Sequence, residues 1–232
     1  MRDRARLFLF GLLAFSITAC AEQKAWVYRT GEYQPPPGQA QRKTVVVLPF
    51  DDLRGDENHN RIGLGMIPLF PFGWVSYSAP EGATMHVTSG LWVNYKPTED
   101  FPKALAQELT STGRYKDAYF NFRTDAAADY VIKGQIINTD YYGTQYTYGL
   151  SAYGPLLWFL GLPAATIDNN LSIRLTCADK TGASVFSQTY TAPEYHEVAW
   201  IYALPSDFQY ASMLGGLYGQ FVKDLEANGK CM

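Results

Sequence analysis

A run of seven residues, TVVVLPF at 44–50, constrains the fold of this chain more than any other feature. Its apolar residues follow one another without a polar partner between them, which is typical of a strand buried on both faces. Such a strand needs a neighbouring strand on each edge and a packed layer over each face. The run therefore predicts a central strand with a sheet built around it.

Two helices are predicted further along the chain. The first, at 97–113, carries Phe101, Leu105 and Leu109 on one face and ends at a glycine. The second, at 206–227, has an apolar stripe and three glycines that allow close packing. Both helices can cover the same sheet.

Short strand patterns separate the two helices. Gly134 is expected to mark a bulge in one of them, and a turn at 179–182 predicts a hairpin. The predicted strands are 116–123, 129–139, 144–150, 170–179 and 183–190. This order predicts the α+β class, with a mainly antiparallel sheet, two helices packed on one face, and a long irregular insertion at 51–97. We expect residues 43–232 to form a single domain.

The first 20 residues resemble the signal of a bacterial lipoprotein. Arginines come first, then a short apolar stretch, then Ile17-Thr18-Ala19-Cys20, which is similar to a lipobox. The resemblance implies that residues 1–19 are removed as a signal peptide. It also implies that Cys20 carries a diacylglycerol on its sulfur and a fatty acid such as palmitate on its amino group.

The residue after Cys20 bears on the localisation. Since Ala21, rather than Asp, follows the cysteine, the resemblance implies the outer membrane, with the domain facing the periplasm. The inner membrane is the alternative. Residues 20–42 then form a tether, because Pro35, Pro36 and Pro37 favour an extended conformation that holds the domain away from the lipid headgroups.

Charge and length exclude some classes of partner and structure. The chain has a formal charge of −3, and removal of Arg2, Arg4, Arg6 and Asp3 with the signal leaves −5. A mildly acidic domain without a basic stripe is not expected to bind nucleic acid. No later apolar run is long enough for a transmembrane helix.

Two cysteines remain once Cys20 carries lipid. In the oxidising periplasm, Cys177 and Cys231 are expected to form a disulfide that joins the hairpin to the end of the last helix. The alternative is two separate thiols. There is no CxxC motif for redox catalysis.

Three segments in order resemble the envelope domains of the curli secretion lipoprotein CsgG and the N-terminal domain of TolB. The segments are VVVLPFDD at 45–52, FPKALAQELTSTGRYKDA at 101–118 and ADYVIKGQI at 128–136. The resemblance implies a non-catalytic, envelope-associated lipoprotein that works through protein contacts. The insertion at 51–97 and the absence of recognisable pore-forming hairpins depart from CsgG.

Residues that could carry catalysis or bind metal are scattered. The acidic loop 51–60 has oxygen donors but lacks the spacing of a calcium loop. The three histidines, His59, His86 and His196, lie in different segments without a zinc-site spacing. We therefore predict no enzymatic activity, no metal and no cofactor beyond the covalent lipid on Cys20.

Two apolar segments remain, IGLGMIPLFPFGW at 62–74 and GPLLWFLGLP at 154–163, and both are too short or too interrupted to span a bilayer. Each either caps the sheet or forms a surface that contacts the membrane or a partner. The predicted contact residues are Ile67, Leu69, Phe70, Phe72, Trp74, Leu156, Leu157, Trp158, Phe159 and Leu160.

The sequence thus predicts a membrane-anchored accessory protein of an envelope assembly or export complex. Its expected partners are the membrane, through the lipid, and other envelope proteins, including copies of itself. The alternative is an envelope protein that binds lipid or glycan through its aromatic loops.

Overall fold

The computed structural model describes residues 26–34, 43–82, 95–203 and 209–231. The α+β class is confirmed, but the strands form two sheets instead of one. Sheet 1 contains β1 Thr44–Val47, β2 Asp51–Asp52, β5 Asp117–Phe120, β6 Tyr130–Asn138, β9 Ser172–Asp179 and β10 Ser184–Thr191. Sheet 2 contains β3 Asn58–Asn60, β4 Phe72–Tyr77, β7 Tyr141–Tyr146, β8 Ala165–Asn169 and β11 Tyr195–Ala199. The helices are α1 Pro97–Ser111, α2 Pro155–Phe159 and α3 Tyr210–Asn228.

The strand order is β10-β9-β6-β1-β5 in sheet 1, with β2 beside β6, and β11-β8-β7-β4-β3 in sheet 2. In sheet 1, β1 lies between β5 and β6 and pairs with both in parallel, while β9 and β10 are antiparallel to their neighbours. All pairs in sheet 2 are antiparallel. The prediction of a central first strand is confirmed, and Val45, Val46 and Val47 are fully buried.

One long antiparallel pair of strands links the two sheets. Asn138 pairs with Ser172 in sheet 1, and Tyr141 pairs with Asn169 in sheet 2, in the same register. The strands β6 and β7 therefore form one side of the pair, and β9 and β8 form the other. The shift in pairing between Ile136 and Asn138 is a bulge, which bends a strand and increases its twist.

The two long helices pack on one face of sheet 1, as predicted. Phe101, Leu105 and Leu109 of α1 are fully buried, and so are Phe221 and Leu225 of α3. The structure pairs Cys177 with Cys231 in a disulfide, as the sequence predicted. This bond ties the chain three residues after the end of α3 to β9.

A proline explains how α1 connects to the end of β1. Pro102 has no N–H to donate to the carbonyl of Thr98, four residues earlier in the helix. The backbone N–H of Phe50 donates to that carbonyl instead, at 2.9 Å. Phe50, three residues after the first strand, is thus fixed to the first turn of the helix.

The sheets differ from the sequence prediction in several strands. Strands β8 and β11 lie outside every predicted strand, and the strand predicted at 144–150 is β7, Tyr141–Tyr146. The segment predicted as an irregular insertion contains β2, β3 and β4, and β4 pairs with β7 along six residues. Gly134 lies in regular pairing opposite Leu175 rather than in a bulge. Its role is to admit the ring of Phe50, since a Cβ at position 134 would lie 2.4 Å from two ring carbons.

This contact predicts opposite effects for two Gly→Ala substitutions. Gly134→Ala should destabilise the protein by about 1–3 kcal/mol, because the buried Phe50 ring must move in a packed core. Gly216→Ala, at an exposed position of α3 with no atom within 4 Å of the new methyl group, should stabilise it by about 0.5–1 kcal/mol. Urea unfolding measures both. A stable Gly134→Ala variant would show that Phe50 can leave this position freely.

Candidate functional site

Exposed apolar side chains gather at one end of sheet 2, where β4 begins, β7 ends, β8 begins and β11 ends. We call this surface the apolar end. Three chain segments form it: the loop before β4, the segment between β7 and β8, and the turn after β11. Its exposed members are Ile62, Met66, Ile67, Leu69, Phe70, Phe72, Leu150, Tyr153, Leu156, Phe159, Leu160, Trp200 and Tyr202.

The loop before β4 is fixed by a short 3₁₀ turn, Ile62–Met66, that lies directly over the start of the strand. A Cβ at Gly73 would lie 2.1 Å from the carbonyl oxygen of Ile62, so only glycine allows this approach. Leu69, at the tip, has a positive φ of 74° and is 89% exposed. The backbone thus holds an apolar side chain in solvent.

The segment between β7 and β8 folds back onto β7 through Trp158. Its indole N–H donates to the carbonyl of Tyr146 at 2.8 Å, and the ring is half-buried. The short helix α2 then leaves Leu156 and Phe159 exposed, and Leu160 follows it at 76% exposure. The tryptophan anchors the segment while its neighbours face solvent.

Hydrogen bonds to backbone carbonyls join the three segments into one surface. The N–H of Leu69 donates to the carbonyl of Gly149 at 3.0 Å, and the hydroxyl of Ser151 donates to the carbonyl of Met66. The hydroxyl of Tyr202 donates to the carbonyl of Phe159 at 3.3 Å. The apolar end therefore has a defined shape rather than three independent loops.

The stretches that form the apolar end carry no charge, and the exposed Arg61 lies directly before the first of them. The stretches 62–79, 141–167 and 198–203 contain no Asp, Glu, Lys or Arg. Most exposed protein surface mixes both charge signs with polar groups, and uncharged apolar patches of this kind mark contact sites. This is the strongest functional signal in the described part of the chain.

The structure brings the two predicted apolar segments together and orders their residues by exposure. Ile67, Leu69, Phe70, Phe72, Leu156, Phe159 and Leu160 are exposed, whereas Trp74, Leu157 and Trp158 are half-buried. Cys20 lies outside the described residues. The role of the ten apolar residues in contact remains a prediction. Sequence reasoning missed the third segment, Trp200 and Tyr202, although the uncharged run VAWIYALP at 198–205 is a signal for it.

Residues 26–34, part of the predicted tether, pack against α1 and α3; we call them the strap. The ring of Trp26 contacts Phe101 at the start of α1, with centroids 6.0 Å apart. The carboxylate of Glu108, only 1% exposed, accepts hydrogen bonds from the Tyr28 hydroxyl at 2.8 Å, the Gly31 N–H at 3.1 Å and the Tyr33 hydroxyl. This part of the tether is thus docked on the domain. Residues 35–42 lie outside the described part.

Burial and the hydrogen bonds to Glu108 raise the pKa of both strap tyrosines above its ordinary value. Both hydroxyls therefore remain protonated donors at physiological pH. Among the described residues, the donors to the buried carboxylate all come from the strap, so the helix and the strap depend on each other.

Strand β10 forms an open edge of sheet 1. The hydrogen bond from the Ala192 N–H to the Leu171 carbonyl, at 2.9 Å, fixes which residues bond to β9. Along an antiparallel pair, every second residue bonds to the neighbouring strand. The backbone N–H and C=O groups of Ser187, Thr189 and Thr191 therefore point away from β9, towards the open edge. No described residue pairs with them, and the strand contains neither proline nor charge.

The other sheet edges are shorter. Strands β3, β5 and β11 have three, four and five residues, and β11 carries Glu197, whereas β10 has eight. Long edges without charge or proline are templates for pairing with another chain. The β10 edge is therefore a second candidate contact surface.

The outer face of sheet 2 carries a stacked aromatic pair. The rings of Trp74 and Tyr142 lie 6.1 Å apart at 24°, and both are partly exposed. On the same face, the Nδ1 atom of His196 lies within hydrogen-bond distance of an Asp168 carboxylate oxygen on the neighbouring strand. A cavity of about 390 Å³ lies elsewhere, beside the turn that joins β9 to β10, and includes none of the aromatic loops.

The remaining candidates for chemistry are used for structure or lie apart. Arg54 of the acidic loop has a side chain only 4% exposed, which pairs with Asp52 and Glu81. Its hydrogen bonds lower the pKa of Asp52. Within the described ranges no three acidic, histidine or cysteine side chains come together as a metal site. His86 lies outside those ranges.

None of the helices in the described ranges has the length and apolar character needed to cross a membrane.

Comparison with known proteins gives structural likeness only. No family model and no curated protein matches the chain. Protein XCC0632 from Xanthomonas campestris, of family DUF330, is similar with a TM-score of 0.48 and 9% identity over 89% of this chain and 96% of that one. The PelC dodecamer from Paraburkholderia phytofirmans is similar at 0.38 and 13% over 86% and 98%. Lipoprotein GNA1162 from Neisseria meningitidis follows at 0.28 and 15% over 80% and 99%. No function is transferred at these values.

The buried carboxylate predicts that Glu108→Gln weakens the docking of the strap. The amide cannot accept from all three donors, so we expect a loss of about 1–3 kcal/mol in stability and faster hydrogen exchange at Gly31. Glu194→Gln, at an exposed position between β10 and β11, is the matched control and should change neither. Unaltered exchange at Gly31 in the Glu108 variant would contradict the role of this carboxylate.

The strap tyrosines also predict a loss of docking at alkaline pH. Their pKa is raised when they are docked, so the undocked tyrosines ionise first. Docking is fully stabilised below about pH 10, the ordinary tyrosine pKa, and weakens as the pH rises above it. Exchange of the Gly31 amide, corrected for its intrinsic pH dependence, should show this in the native protein. A Tyr28→Phe, Tyr33→Phe variant should dock weakly at every pH, without the alkaline step.

Proposed function

We propose that this chain is a lipid-anchored protein of the bacterial cell envelope that acts as a non-catalytic accessory component of an assembly or export complex. The anchor is the lipid on Cys20, and the lipobox-like order of residues supports it. Ala21 after that cysteine favours the outer membrane, with the domain in the periplasm. In this proposal, the lipid on Cys20 is the only group attached to the chain.

The open β10 edge carries the proposal of protein contacts. Three residues, Ser187, Thr189 and Thr191, turn their backbone donors and acceptors outward along one line. An extended segment of another polypeptide can add to this edge as a further strand and satisfy all of these groups. The neutral side chains place no charge opposite the incoming strand.

The side-chain hydroxyls support the same surface. Those of Thr191 and Ser187 hydrogen-bond to Ser172 and Thr176 on β9, at 2.9 and 2.8 Å. These contacts tie β10 to β9 without occupying the outward backbone groups of β10. Since β10 is already ordered, little of its conformational entropy is lost when a partner strand binds.

The stacked pair on sheet 2 favours a second candidate, a glycan-binding protein. Partly exposed aromatic rings such as Trp74 and Tyr142 offer a flat face for a sugar ring, and the nearby Asp168 carboxylate offers a hydrogen-bond acceptor. A bound sugar in the native mass spectrum of the protein, lost in Trp74→Ala, would favour this candidate over protein contact.

The edge predicts crosslinking at one position of β10. A photo-crosslinking amino acid at Thr189 should capture a discrete partner in intact cells, either a second copy of the chain or another envelope protein. The same group at Thr181, in the exposed turn beside the strand, is the matched control. Equal capture at both positions, or none at Thr189, would rule out the edge as the contact.

Proline substitution tests the same edge without a crosslinker. Thr189→Pro removes an N–H that points away from the sheet, so the fold should persist while capture from a probe at Ser187 is lost. Gln188→Pro removes an N–H that bonds to β9 and should destabilise the protein by about 3 kcal/mol or more. Thermal unfolding separates the two effects.

A further inference from the structure

We infer that the apolar end inserts its exposed side chains into the surface of the same bilayer that holds the lipid on Cys20. This inference rests on the lipid anchor of the proposed function and adds a second membrane contact made by the folded domain itself. The occupant of the apolar end is thus a lipid surface rather than a protein.

The strap shows from which end of the domain the anchor leaves. It lies along the helices, with Tyr33 near Glu108 in the last part of α1 and Trp26 near Phe101 in the first part. Phe101 contacts the ring of Tyr210, whose hydroxyl donates to the carbonyl of Thr139 at 2.6 Å. Since Thr139 lies at the bend between the two sheets, Trp26 is the end of the strap that lies towards this bend.

The lengths on both sides of this bend agree. Cys20 precedes Trp26 by six residues, which span at most about 20 Å when fully extended. Strand β4 has six residues between the bend and the apolar end, also about 20 Å at 3.3 Å per residue. The lipid on Cys20 can therefore reach the plane of the apolar end while the strap remains docked.

The exposure of the apolar end suits a bilayer better than a protein partner. Leu69, Leu160 and Tyr202 are each more than three-quarters exposed and come from three different segments. A protein partner would need a separate pocket for each of these protruding side chains, whereas a lipid surface accepts them without complementary shape. The absence of charge removes the main cost of entering the interface.

The backbone of the apolar end is also prepared for a water-poor surface. The Pro71 carbonyl accepts two hydrogen bonds, from the N–H groups of Thr147 and Tyr148, both at 2.8 Å. The Phe70 carbonyl accepts from the Thr147 hydroxyl at 3.1 Å. Each pairing reduces the desolvation of polar groups on insertion. The tyrosine hydroxyls suit the headgroup level, so shallow insertion of about 5–10 Å is expected.

An environment-sensitive fluorophore on a single cysteine tests this contact. Cys20 is lipidated and Cys177 is bonded to Cys231, so an introduced cysteine is the only free thiol. Lipidated full-length protein carrying Leu69→Cys or Leu160→Cys is labelled and reconstituted into protein-free vesicles of phosphatidylethanolamine and phosphatidylglycerol. We expect a blue shift at both positions and quenching by brominated acyl chains.

The controls separate this inference from the lipid anchor. A label at Thr181, beside the β9–β10 turn at the other end of the strands, should show neither change. The Leu160→Cys label in a Leu69→Asp background should lose its shift while the protein still floats with the vesicles. If the protein floats with the vesicles but the labels at 69 and 160 report an environment as polar as that at 181, the membrane contact is overturned and the anchor stands. Failure to float would overturn the anchor itself.

Native envelope membranes give the remaining comparison. The labels could report a polar environment in pure lipid vesicles but a shielded one in native membranes. This result would assign the apolar end to a protein partner and refute the inference. Circular dichroism of each variant confirms that the sheets are retained.

Discussion

A single buried threonine, Thr139, holds the two sheets together where their shared strands bend. Its carbonyl accepts from the hydroxyl of Tyr210 on α3, and its own hydroxyl donates to the carbonyl of Ser78 just after β4 at 2.9 Å. The same hydroxyl accepts from Arg54 at 2.7 Å. A helix, a strand of each sheet and the acidic loop therefore meet at one residue. Because these groups are buried, a missing partner would leave a desolvated polar atom, and the angle between the sheets depends on this set of bonds.

The charge beside this threonine explains why the acidic loop is structural. Burial alone would lower the pKa of Arg54, but its hydrogen bonds to Asp52 and Glu81 outweigh burial and raise the pKa instead. Two carboxylates around one guanidinium keep the arginine charged and fixed in position. The same pairing commits one carboxylate of the loop, Asp52, to the joint between the sheets.

The sequence predicts sheet 1 well and sheet 2 poorly, for a physical reason. In sheet 1 the buried faces carry Val, Ile and Leu, so apolar patterns mark the strands. In β4 the inner positions are Gly73, Val75 and Tyr77, while the large Phe72 and Trp74 face outward. The large apolar side chains of β4 therefore lie on its exposed face, opposite to the usual pattern. Its partner β7 lies about 70 residues away in the chain, and its pairing cannot be read from local sequence.

The apolar segments were visible in the sequence, but their common surface required the fold. The sequence could not separate a cap from a contact surface, since that depends on whether Trp158 or its neighbours face the sheet. Backbone strain adds a further argument. Of five non-glycine residues with positive φ in the described ranges, Leu69, Tyr148 and Ser151 belong to the apolar end or its supports. Such conformations cost about 1–3 kcal/mol each, and exposed leucines gain nothing from burial in the free domain. The strain at these residues is therefore not offset by burial of their side chains in the free domain, which supports the contact proposed for the apolar end.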